Sequence, residues 1–240
     1  MKVETVVSER YAQGAQCREE SLCCPVSYDA TLLEKLPAEI LERDYGCGDP
    51  SRYVQSCDVV VDLGSGGGKI CYMAAQITGP CGHVHGIDMT DEMLDLARRY
   101  QPAMAEALGF DNVSFHRGLI QDVAQIVAVE SADLVISNCV LNLVAESDRR
   151  QMIDGIFQVL KPGGRIAIAD IVCEERVPKK LKKNPELWSG CISGAFQKDD
   201  FLQAFRDVGF QDVRYDVWED DAWQEVEGLR FHSATVCAQK

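Results

Sequence analysis

Long apolar runs are missing from this sequence of 240 residues. None approaches the roughly 20 residues that a membrane-spanning helix requires, and the opening segment MKVETVVSERYAQG lacks the apolar core of a signal peptide. We therefore expect a cytoplasmic protein with no membrane partner. Hydrophobic residues make up 46% and charged residues 26% of the chain, the balance of a globular protein long enough to bury a substantial core.

Basic residues are also scarce. The chain has 24 lysines and arginines against 38 aspartates and glutamates, which gives a net charge of −14. Nucleic-acid binding depends on clustered positive charge, so this balance argues against a nucleic-acid partner. The one basic cluster, KKLKK at residues 179–183, is more typical of a solvated face or a mobile lid than of a docking patch.

The Cys-x-x-Cys spacing is absent, although the chain contains 11 cysteines. Its absence argues against a zinc ribbon and against a thioredoxin-type redox motif. An odd number of cysteines without a secretion signal also predicts reduced thiols, not a disulfide framework. Most of these thiols are expected to be small buried hydrophobic side chains, in particular Cys57, Cys81, Cys173 and Cys237.

Strand and helix patterns alternate from residue 58 onward, which predicts a doubly wound, mostly parallel α/β sheet of seven strands. Short apolar runs closed by turn residues mark the strands, at 58–64, 83–88, 112–118, 132–138, 165–172, 211–218 and 230–238. Helical patterns with caps or turn signals at their ends lie at 68–79, 90–109, 147–160 and 198–210.

The segment before the sheet differs in character. Residues 1–50 are polar and hold one helical stretch near 37–44. We predict an N-terminal cysteine-containing segment over 1–50 and an α/β domain over 51–240. Within the domain, residues 173–197 form an irregular insert of the kind that serves as a lid or a binding loop.

A glycine-rich turn, VDLGSGGGKI at 61–70, follows the first strand. It lets a ligand approach the backbone closely, but the dinucleotide fingerprint fails because Lys69 occupies its last glycine position. Asp62 precedes the glycines instead, and Asp88 ends the second strand. The two features together resemble the class I S-adenosylmethionine-dependent methyltransferases. The resemblance implies that residues 51–240 are the cofactor-binding domain.

That resemblance implies S-adenosylmethionine as the cofactor. The glycine loop would face its methionine part, Asp88 its ribose hydroxyls and Met89 its adenine, with GLIQD at 118–122 covering the adenine. Ligands of this architecture bind at the carboxyl ends of the strands. The implied cofactor-binding residues are Tyr45, Gly46, Asp62, Gly64, Ser65, Gly66, Asp88, Met89, Leu119, Ile120 and Asn138.

Three cysteines have surroundings that are unusual for core residues. Cys139 follows the fourth strand and should face the ligand crevice, Cys47 lies between two glycines, and Cys191 lies in the insert. Three thiols brought to one crevice would form a soft site that selects thiophilic centres. Trivalent arsenic takes three sulfur ligands and keeps a lone pair that can attack a methyl sulfonium.

These cysteines belong to motifs that strongly resemble the arsenite methyltransferases. The motifs are, in chain order, LCCPVSYD (22–29), YGCG (45–48), VDLGSG (61–66), GIDMT (86–90), SNCVLNLV (137–144) and WSGCISGA (188–195). The resemblance implies that Cys139 and Cys191 hold trivalent arsenic and that Cys47 is a mobile third thiol. Cys23 or Cys24 would be the N-terminal thiol of a redox relay, restored by a small thiol reductant.

The activity that the resemblance implies is methyl transfer to arsenite delivered by small thiols. No general base is needed at arsenic, but thiol exchange requires thiolates, so we expect the pKa of the site cysteines to be lowered. Asn138 and Asn142 would orient the loop around Cys139 or simply form a turn. The alternatives are a methyltransferase for another small acceptor, such as an organic thiol, an antimony or selenium species or another metabolite, and a non-catalytic metalloid-binding thiol module. The oligomeric state is left open.

Overall fold

The computed structural model describes residues 3–17, 26–43 and 45–240. Over these residues the strands share one sheet and are β1 Val59–Leu63, β2 His83–Asp88, β3 Val113–Arg117, β4 Ala132–Asn138, β5 Leu160–Cys173, β6 Phe196–Gln197, β7 Gln211–Trp218, β8 Gln224–Val226 and β9 Leu229–Gln239. The helices of the same residues are α1 Val3–Gln16, α2 Ala30–Leu33, α3 Ala38–Glu42, α4 Lys69–Thr78, α5 Asp91–Leu108, α6 Val123–Ile126, α7 Arg149–Val159, α8 Pro185–Ser189 and α9 Lys198–Arg206. None of them is long and apolar enough to cross a membrane.

The sheet has the order β3-β2-β1-β4-β5-β9-β7, with β6 added beside β5 and β8 beside β9. Strands β1 to β5 pair in parallel, whereas β9 is antiparallel to β5 and β7. The predicted doubly wound α/β fold is confirmed, and the seven predicted strands form the main path. The strand order reverses between β1 and β4, and such a reversal opens a crevice at the carboxyl ends of the strands.

Two hydrophobic cores cover the two faces of the sheet. One lies under α4 and α5 and contains Tyr72, Leu94 and Phe115, and the other lies under α7 and α9 and contains Met152 and Phe201. A third cluster, at the carboxyl edge, includes Cys47, Cys139 and Cys191. The predicted site cysteines are therefore buried together, apart from both main cores.

Helix α1 was not predicted, because residues 1–50 were expected to hold one helical stretch only. The sequence offers no Ser, Thr, Asp or Asn before its first turn, but Val7 and Tyr11 stand four residues apart and Gly14 three further on, which is helical spacing. Val7, Gly14 and Ala15 are buried, and the helix packs against α5 and α8. Tertiary packing therefore stabilises α1 where its local sequence signal is weak.

The prediction of reduced, buried cysteines was wrong for one pair. Cys57 and Cys81 form a disulfide with both residues exposed. Cys57 precedes β1 and Cys81 precedes β2, and the register pairs Val59 with His83 at the start of both strands. Parallel pairing brings the two cysteines together at the amino end of the sheet, although the sequence separates them by 24 positions.

Candidate active site

The glycine loop after β1 is tied to the end of β2 by backbone hydrogen bonds. The N–H groups of Gly64 and Ser65 donate to the Ile87 carbonyl at 2.8 and 2.9 Å, and the N–H of Gly66 donates to Asp88 Oδ2 at 2.9 Å. Gly64 and Gly66 have φ of +73° and +51°, in the left-handed region that favours glycine. The loop and the acid singled out in the sequence thus form one unit.

Two cavities meet at Gly64, on either side of Val140 and Tyr11. The first is largely apolar, and its walls include the acid at the end of β2 and the segment after β3. The residues of this wall that were predicted from the sequence are Gly64, Asp88, Met89, Leu119 and Ile120.

The second cavity lies on the other side of Gly64, toward Cys139. Its walls include most of the remaining candidates, namely Tyr45, Asp62, Ser65, Gly66 and Asn138. Gly46 instead packs against Asn138. The contact is so close that a Cβ added at Gly46 would lie 2.2 Å from Asn138 Nδ2. The predicted cofactor-binding residues are thus divided between the two cavities, with Gly64 in both and Gly46 in neither.

The backbone of the glycine loop is open to the crevice at Gly66. A Cβ added at Gly66 would come no closer than 3.9 Å to Met93 Sδ, so a ligand can lie against that backbone. Asp88 Oδ1 accepts from the N–H of Thr90 at 2.8 Å, which fixes the carboxylate at the cavity wall. Burial raises the pKa of Asp88. A buried carboxylate beside an open glycine loop fits the ribose hydroxyls of S-adenosylmethionine.

The three predicted site cysteines meet at the carboxyl ends of β4 and β5. Cys47 Sγ, Cys139 Sγ and a carboxylate oxygen of Asp170 all lie within 4.8 Å of one another. Cys191 Sγ donates a hydrogen bond to the Cys139 carbonyl at 3.3 Å. All three cysteines are at most 8% exposed. Segments more than 40 residues apart in the sequence therefore supply one thiol cluster.

Cys139 and Cys191 both have an uncommon backbone conformation. Their φ angles are +61° and +63°, in a region that side chains other than glycine, asparagine and aspartate rarely adopt. Such conformations persist only when the surrounding structure holds them, and they concentrate at functional sites. Here the N–H of Cys139 donates to the Ala169 carbonyl at 2.8 Å and that of Cys191 to the Trp188 carbonyl at 3.0 Å.

Asn138 holds the loop that carries Cys47. Its Oδ1 accepts from the N–H groups of Cys47 and Gly48 at 2.9 and 3.1 Å, and its Nδ2 donates to the Gly48 carbonyl at 2.8 Å. A Cβ at Gly48 would lie 2.7 Å from the Ala169 side chain. The glycines on both sides of Cys47 are therefore explained by the close approach of this loop to Asn138 and β5, and Asn138 does more than form a local turn.

Asn142 holds both the insert and the buried acid Asp170 by hydrogen bonds. Its Nδ2 donates to Asp170 Oδ1 at 2.7 Å, its N–H donates to Asp170 Oδ2 at 3.2 Å, and its Oδ1 accepts from the N–H of Phe196 at 3.2 Å. A Cβ at Gly194 would lie 2.0 Å from the Asn142 carbonyl oxygen. The segment SNCVLNLV thus places one asparagine on each side of Cys139, and each binds a segment that carries another site cysteine.

Asp170 is a functional candidate that was not predicted from the sequence. It lies within β5, in the run IADIV (168–172), and reads as part of a buried strand. Its side chain is fully buried, and burial raises its pKa to about 7 even though backbone N–H groups and Arg149 favour the charged form. An acid in an otherwise apolar strand that ends at the ligand crevice was the available signal.

The expected lowering of the pKa was wrong for Cys139 and Cys47. Burial raises the pKa of Cys139 well above its ordinary value, and burial together with the charge of Asp170 raises that of Cys47. Desolvation disfavours the charged thiolate, and backbone amides at the strand ends do not offset it. Both thiols hold their protons near neutral pH, so each proton must be transferred when the thiol binds a metalloid.

Helix α1 closes the site from above through Tyr11, which was also not predicted. Tyr11 lines both cavities and packs edge-on against Tyr45, with 6.1 Å between ring centroids. Burial, and then the nearby thiols of Cys191 and Cys139, raise the pKa of Tyr11 well above its ordinary value. The N-terminal candidates Cys23 and Cys24 lie outside the described residues.

Comparison with known proteins agrees with this geometry. Residues 55–209, more than half of the chain, match a family model described as a methyltransferase domain. The arsenite methyltransferase of Aquipseudomonas alcaligenes is 34% identical over 234 residues, which cover 93% of this chain and 67% of that protein. The arsenite methyltransferase of Halobacterium salinarum is 40% identical over 231 residues, covering 87% and 57%, and that of Mus musculus is 38% identical over 189 residues, covering 77% and 49%. This chain therefore spans between about half and two thirds of the length of these relatives.

A solved structure shares both fold and sequence with the chain. It is an arsenic(III) S-adenosylmethionine methyltransferase from Chlamydomonas reinhardtii, with a TM-score of 0.82 at 33% identity over 90% of this chain and 75% of that chain. A phosphoethanolamine N-methyltransferase of Haemonchus contortus shares the fold alone, with a TM-score of 0.61 at 16% identity. With its glycine loop, its buried Asp88 and its cluster of three thiols, the chain belongs to the arsenite methyltransferase family of class I methyltransferases.

Proposed function

We propose that this protein transfers a methyl group from S-adenosylmethionine to trivalent arsenic held by thiols, with arsenite as the substrate. The observation that carries the proposal is the meeting of Cys47, Cys139 and Cys191 beside a cavity walled by the glycine loop. Thiolate ligands select soft, thiophilic centres. The names of the relatives from Aquipseudomonas alcaligenes and Chlamydomonas reinhardtii point to the same substrate.

S-adenosylmethionine, when bound, supplies a methyl group on a positively charged sulfur. Gly64, Ser65 and Gly66 would hold its methionine part, because they line the cavity that also contains Cys139. Asp88 and Met89 would hold its adenosine part in the apolar cavity on the other side of Gly64. This assignment leaves the reactive end of the cofactor on the side of the thiols.

The protons of the site thiols must leave before arsenic binds, since burial keeps Cys47 and Cys139 protonated. We assign Asp170 as the acceptor, because its carboxylate lies within 4.8 Å of both sulfurs and its pKa of about 7 suits reversible proton transfer near neutral pH. The thiol proton passes to Asp170, and the thiolate forms a bond to arsenic. A hydroxide or a carrier thiolate leaves arsenic and takes the proton from Asp170, so the exchange is balanced.

Arsenic held by three sulfurs retains its lone pair, which is the nucleophile toward the methyl group. No general base is needed at arsenic because this nucleophile carries no proton. The protein contributes orientation and a dry site, since the three cysteines are almost fully buried and Trp188 packs over them with its Nε1 donating to the Leu143 carbonyl at 3.2 Å.

Methyl transfer leaves arsenic formally oxidised by two electrons, and a pair of thiols must return them. We propose that Cys47 forms a transient disulfide with Cys23 or Cys24 in this step, and that a small thiol reductant restores the pair. Cys47 also lines a large cavity on the other side of its loop, together with Asp49, Arg52 and Trp223. A reductant or a thiol-bound metalloid can reach Cys47 from that side.

The deciding experiment combines arsenite binding with methyl transfer. The reduced protein is compared with Cys139→Ala and Cys191→Ala, and Cys237→Ala serves as the matched control because Cys237 is a buried thiol on β9 away from the site. We expect arsenite binding and methylation to be lost in the first two variants and retained in the control, while S-adenosylmethionine binding is retained in all three.

Two results would overturn parts of the proposal in different ways. Binding of S-adenosylmethionine without arsenite binding in the parent protein would keep the methyltransferase and reject the metalloid substrate. Arsenite binding that needs the cysteines, but no methyl transfer in the presence of cofactor and thiol, would favour the non-catalytic thiol module.

A further inference from the structure

Three of the four histidines lie together on the sheet, outside the candidate active site. His83 and His85 are two positions apart on β2, and His116 is on the neighbouring strand β3. Side chains two apart on a strand point to the same face, and the register pairs His85 with Ser114 and Ile87 with His116. All three imidazoles therefore share one face, and each is half-buried.

This face is the one that α4 and α5 leave uncovered. Those helices pack on the opposite side, where a Cβ at Gly86 would lie 2.8 Å from both Cys71 Sγ and a Phe115 ring carbon. The helix that follows β3, α6, has only four residues. The imidazoles are thus accessible from solvent at one side and supported by strand backbone at the other.

One pair of ring nitrogens is hydrogen-bonded at a distance close to that between two ligands of one metal ion. His85 Nδ1 and His116 Nε2 are 3.1 Å apart, whereas two nitrogens bound to a tetrahedral zinc ion at about 2.0–2.1 Å lie about 3.3 Å apart. The His83 ring lies nearby, tilted by 59° to the His85 ring with 4.5 Å between centroids, and its Nε2 is hydrogen-bonded to Ser114 Oγ at 3.0 Å. The observed side-chain positions do not bring three histidine nitrogens together, so a third ligand requires His83 to rotate away from Ser114.

We propose that His85 and His116, completed by His83, form a binding site for a borderline divalent cation such as Zn²⁺. Imidazole nitrogen is the preferred ligand of such ions, and His-x-His on one strand with a third histidine on the next supplies three nitrogens from a rigid backbone. Burial and the neighbouring histidines lower the pKa of His85 to about 4, and burial also lowers the pKa values of His83 and His116.

The charges around the cluster come from two other residues. Asp111 acts on His83 and favours its charged form, and Arg98 acts on His116 and disfavours it. Neither Asp111 nor Arg98 is one of the proposed metal ligands. The simpler alternative is a chain of neutral imidazoles linked by hydrogen bonds, which would need no ion and would respond to none.

The test is a Zn²⁺ titration by calorimetry, with the thiol site separated from the histidine site by mutation. In Cys139→Ala, which weakens the thiol site, we expect one Zn²⁺ equivalent to remain. Adding His85→Gln or His116→Gln to that variant should weaken the remaining equivalent by at least about tenfold, the lower end of the effect of losing a metal-supporting group. Ser114→Ala is the matched control, since it alters the neighbour of His83 but removes no imidazole.

A second measurement keeps the test decisive if one histidine variant folds poorly. Co²⁺ bound at this site in Cys139→Ala should give a spectrum without a sulfur-to-metal charge-transfer band, and thermal unfolding of Cys139→Ala should shift upward with Zn²⁺ only when the three histidines are intact. Equal Zn²⁺ binding in Cys139→Ala with and without His85, or no binding beyond the thiol site, would overturn the proposal.

Discussion

At the carboxyl end of the sheet Cys47, Cys139 and Cys191 lie together as buried thiols, whereas at the amino end Cys57 and Cys81 form an exposed disulfide. Both groups bring together cysteines that are far apart in the sequence. The difference lies in what surrounds them, because asparagine side chains hold the thiol-bearing segments at one end, whereas parallel strand pairing and the Thr78 carbonyl position the two cysteines at the other.

This contrast shows how one residue type obtains two roles within one fold. At the carboxyl end the cysteines are shielded from water and placed next to an acid that can take their protons. At the amino end the sulfurs are accessible and cross-link two strand starts. Methylation should therefore depend on the polar groups that hold the first set and be indifferent to the second.

The largest effect is expected from Asn138→Ala. The substitution removes three hydrogen bonds to the loop of Cys47 and leaves the N–H groups of Cys47 and Gly48 without their acceptor. We expect the free energy of unfolding to fall by about 3 kcal/mol. Displacement of Cys47 should lower methylation by about 100-fold, the scale that a misplaced reacting group costs. Arsenite methylation rates and chemical denaturation measure the two effects.

A matched control for Asn138 exists at the other end of the sheet. Asn112 is also buried, and its Nδ2 donates to Ala75, Thr78 and Gly79 at 3.2, 3.1 and 2.9 Å. Asn112→Ala should cost similar stability but leave methylation of the folded protein unchanged. If both variants lose methylation equally, Asn138 contributes through stability only.

The next largest effect is expected from Asp170→Asn, which should change how the rate of arsenite binding depends on pH. If Asp170 accepts the thiol protons, transfer of arsenic onto the cysteines should accelerate as pH rises through about 7, where the carboxyl ionises. The variant should lose this rise and need a higher pH, at which the thiols ionise unaided. Stopped-flow measurement of arsenite binding between pH 5.5 and 9.5 gives the profile. A rise near pH 7 that persists in the variant would assign the proton acceptor elsewhere.

The stability of the protein should change in the opposite direction over the same range. Burial raises the pKa of Asp170 from 3.8 to about 7, so the native state holds this proton more tightly than the unfolded state does. The stability contribution of Asp170 is complete below about pH 4 and is lost as pH rises through about 7. In Asp170→Asn this decline should disappear from the pH dependence of unfolding.

Much of the cofactor half of the site could be predicted from the sequence. The glycine loop and Asp88 stand at the ends of strands that are recognisable by their apolar runs, and the parallel sheet places those ends together. The three site cysteines were predicted from their motifs. Helix α1 and Tyr11 were missed, because the helix depends on packing against α5 and α8 and not on local capping signals.

The remaining errors have a common physical cause. The raised pKa values of Cys47 and Cys139, the role open to Asp170 and the pairing of Cys57 with Cys81 all depend on burial and on neighbours supplied by other strands. No local pattern encodes these quantities. Strand register produces them, since it decides which residues of β1, β2, β4 and β5 stand side by side.

The smallest effect on activity is expected from Cys57→Ser, which tests the amino end of the comparison. Without reductant, loss of a disulfide that closes a loop of this size should lower the free energy of unfolding by about 3 kcal/mol. With reductant, the parent and the variant should unfold alike, and their methylation rates should agree. Cys17→Ser, which substitutes an exposed cysteine outside the Cys57–Cys81 pair, should respond to reductant as the parent does. A fall in methylation in Cys57→Ser alone would show that the two ends of the sheet are coupled, because the substituted residue lies at the opposite end from the thiol cluster.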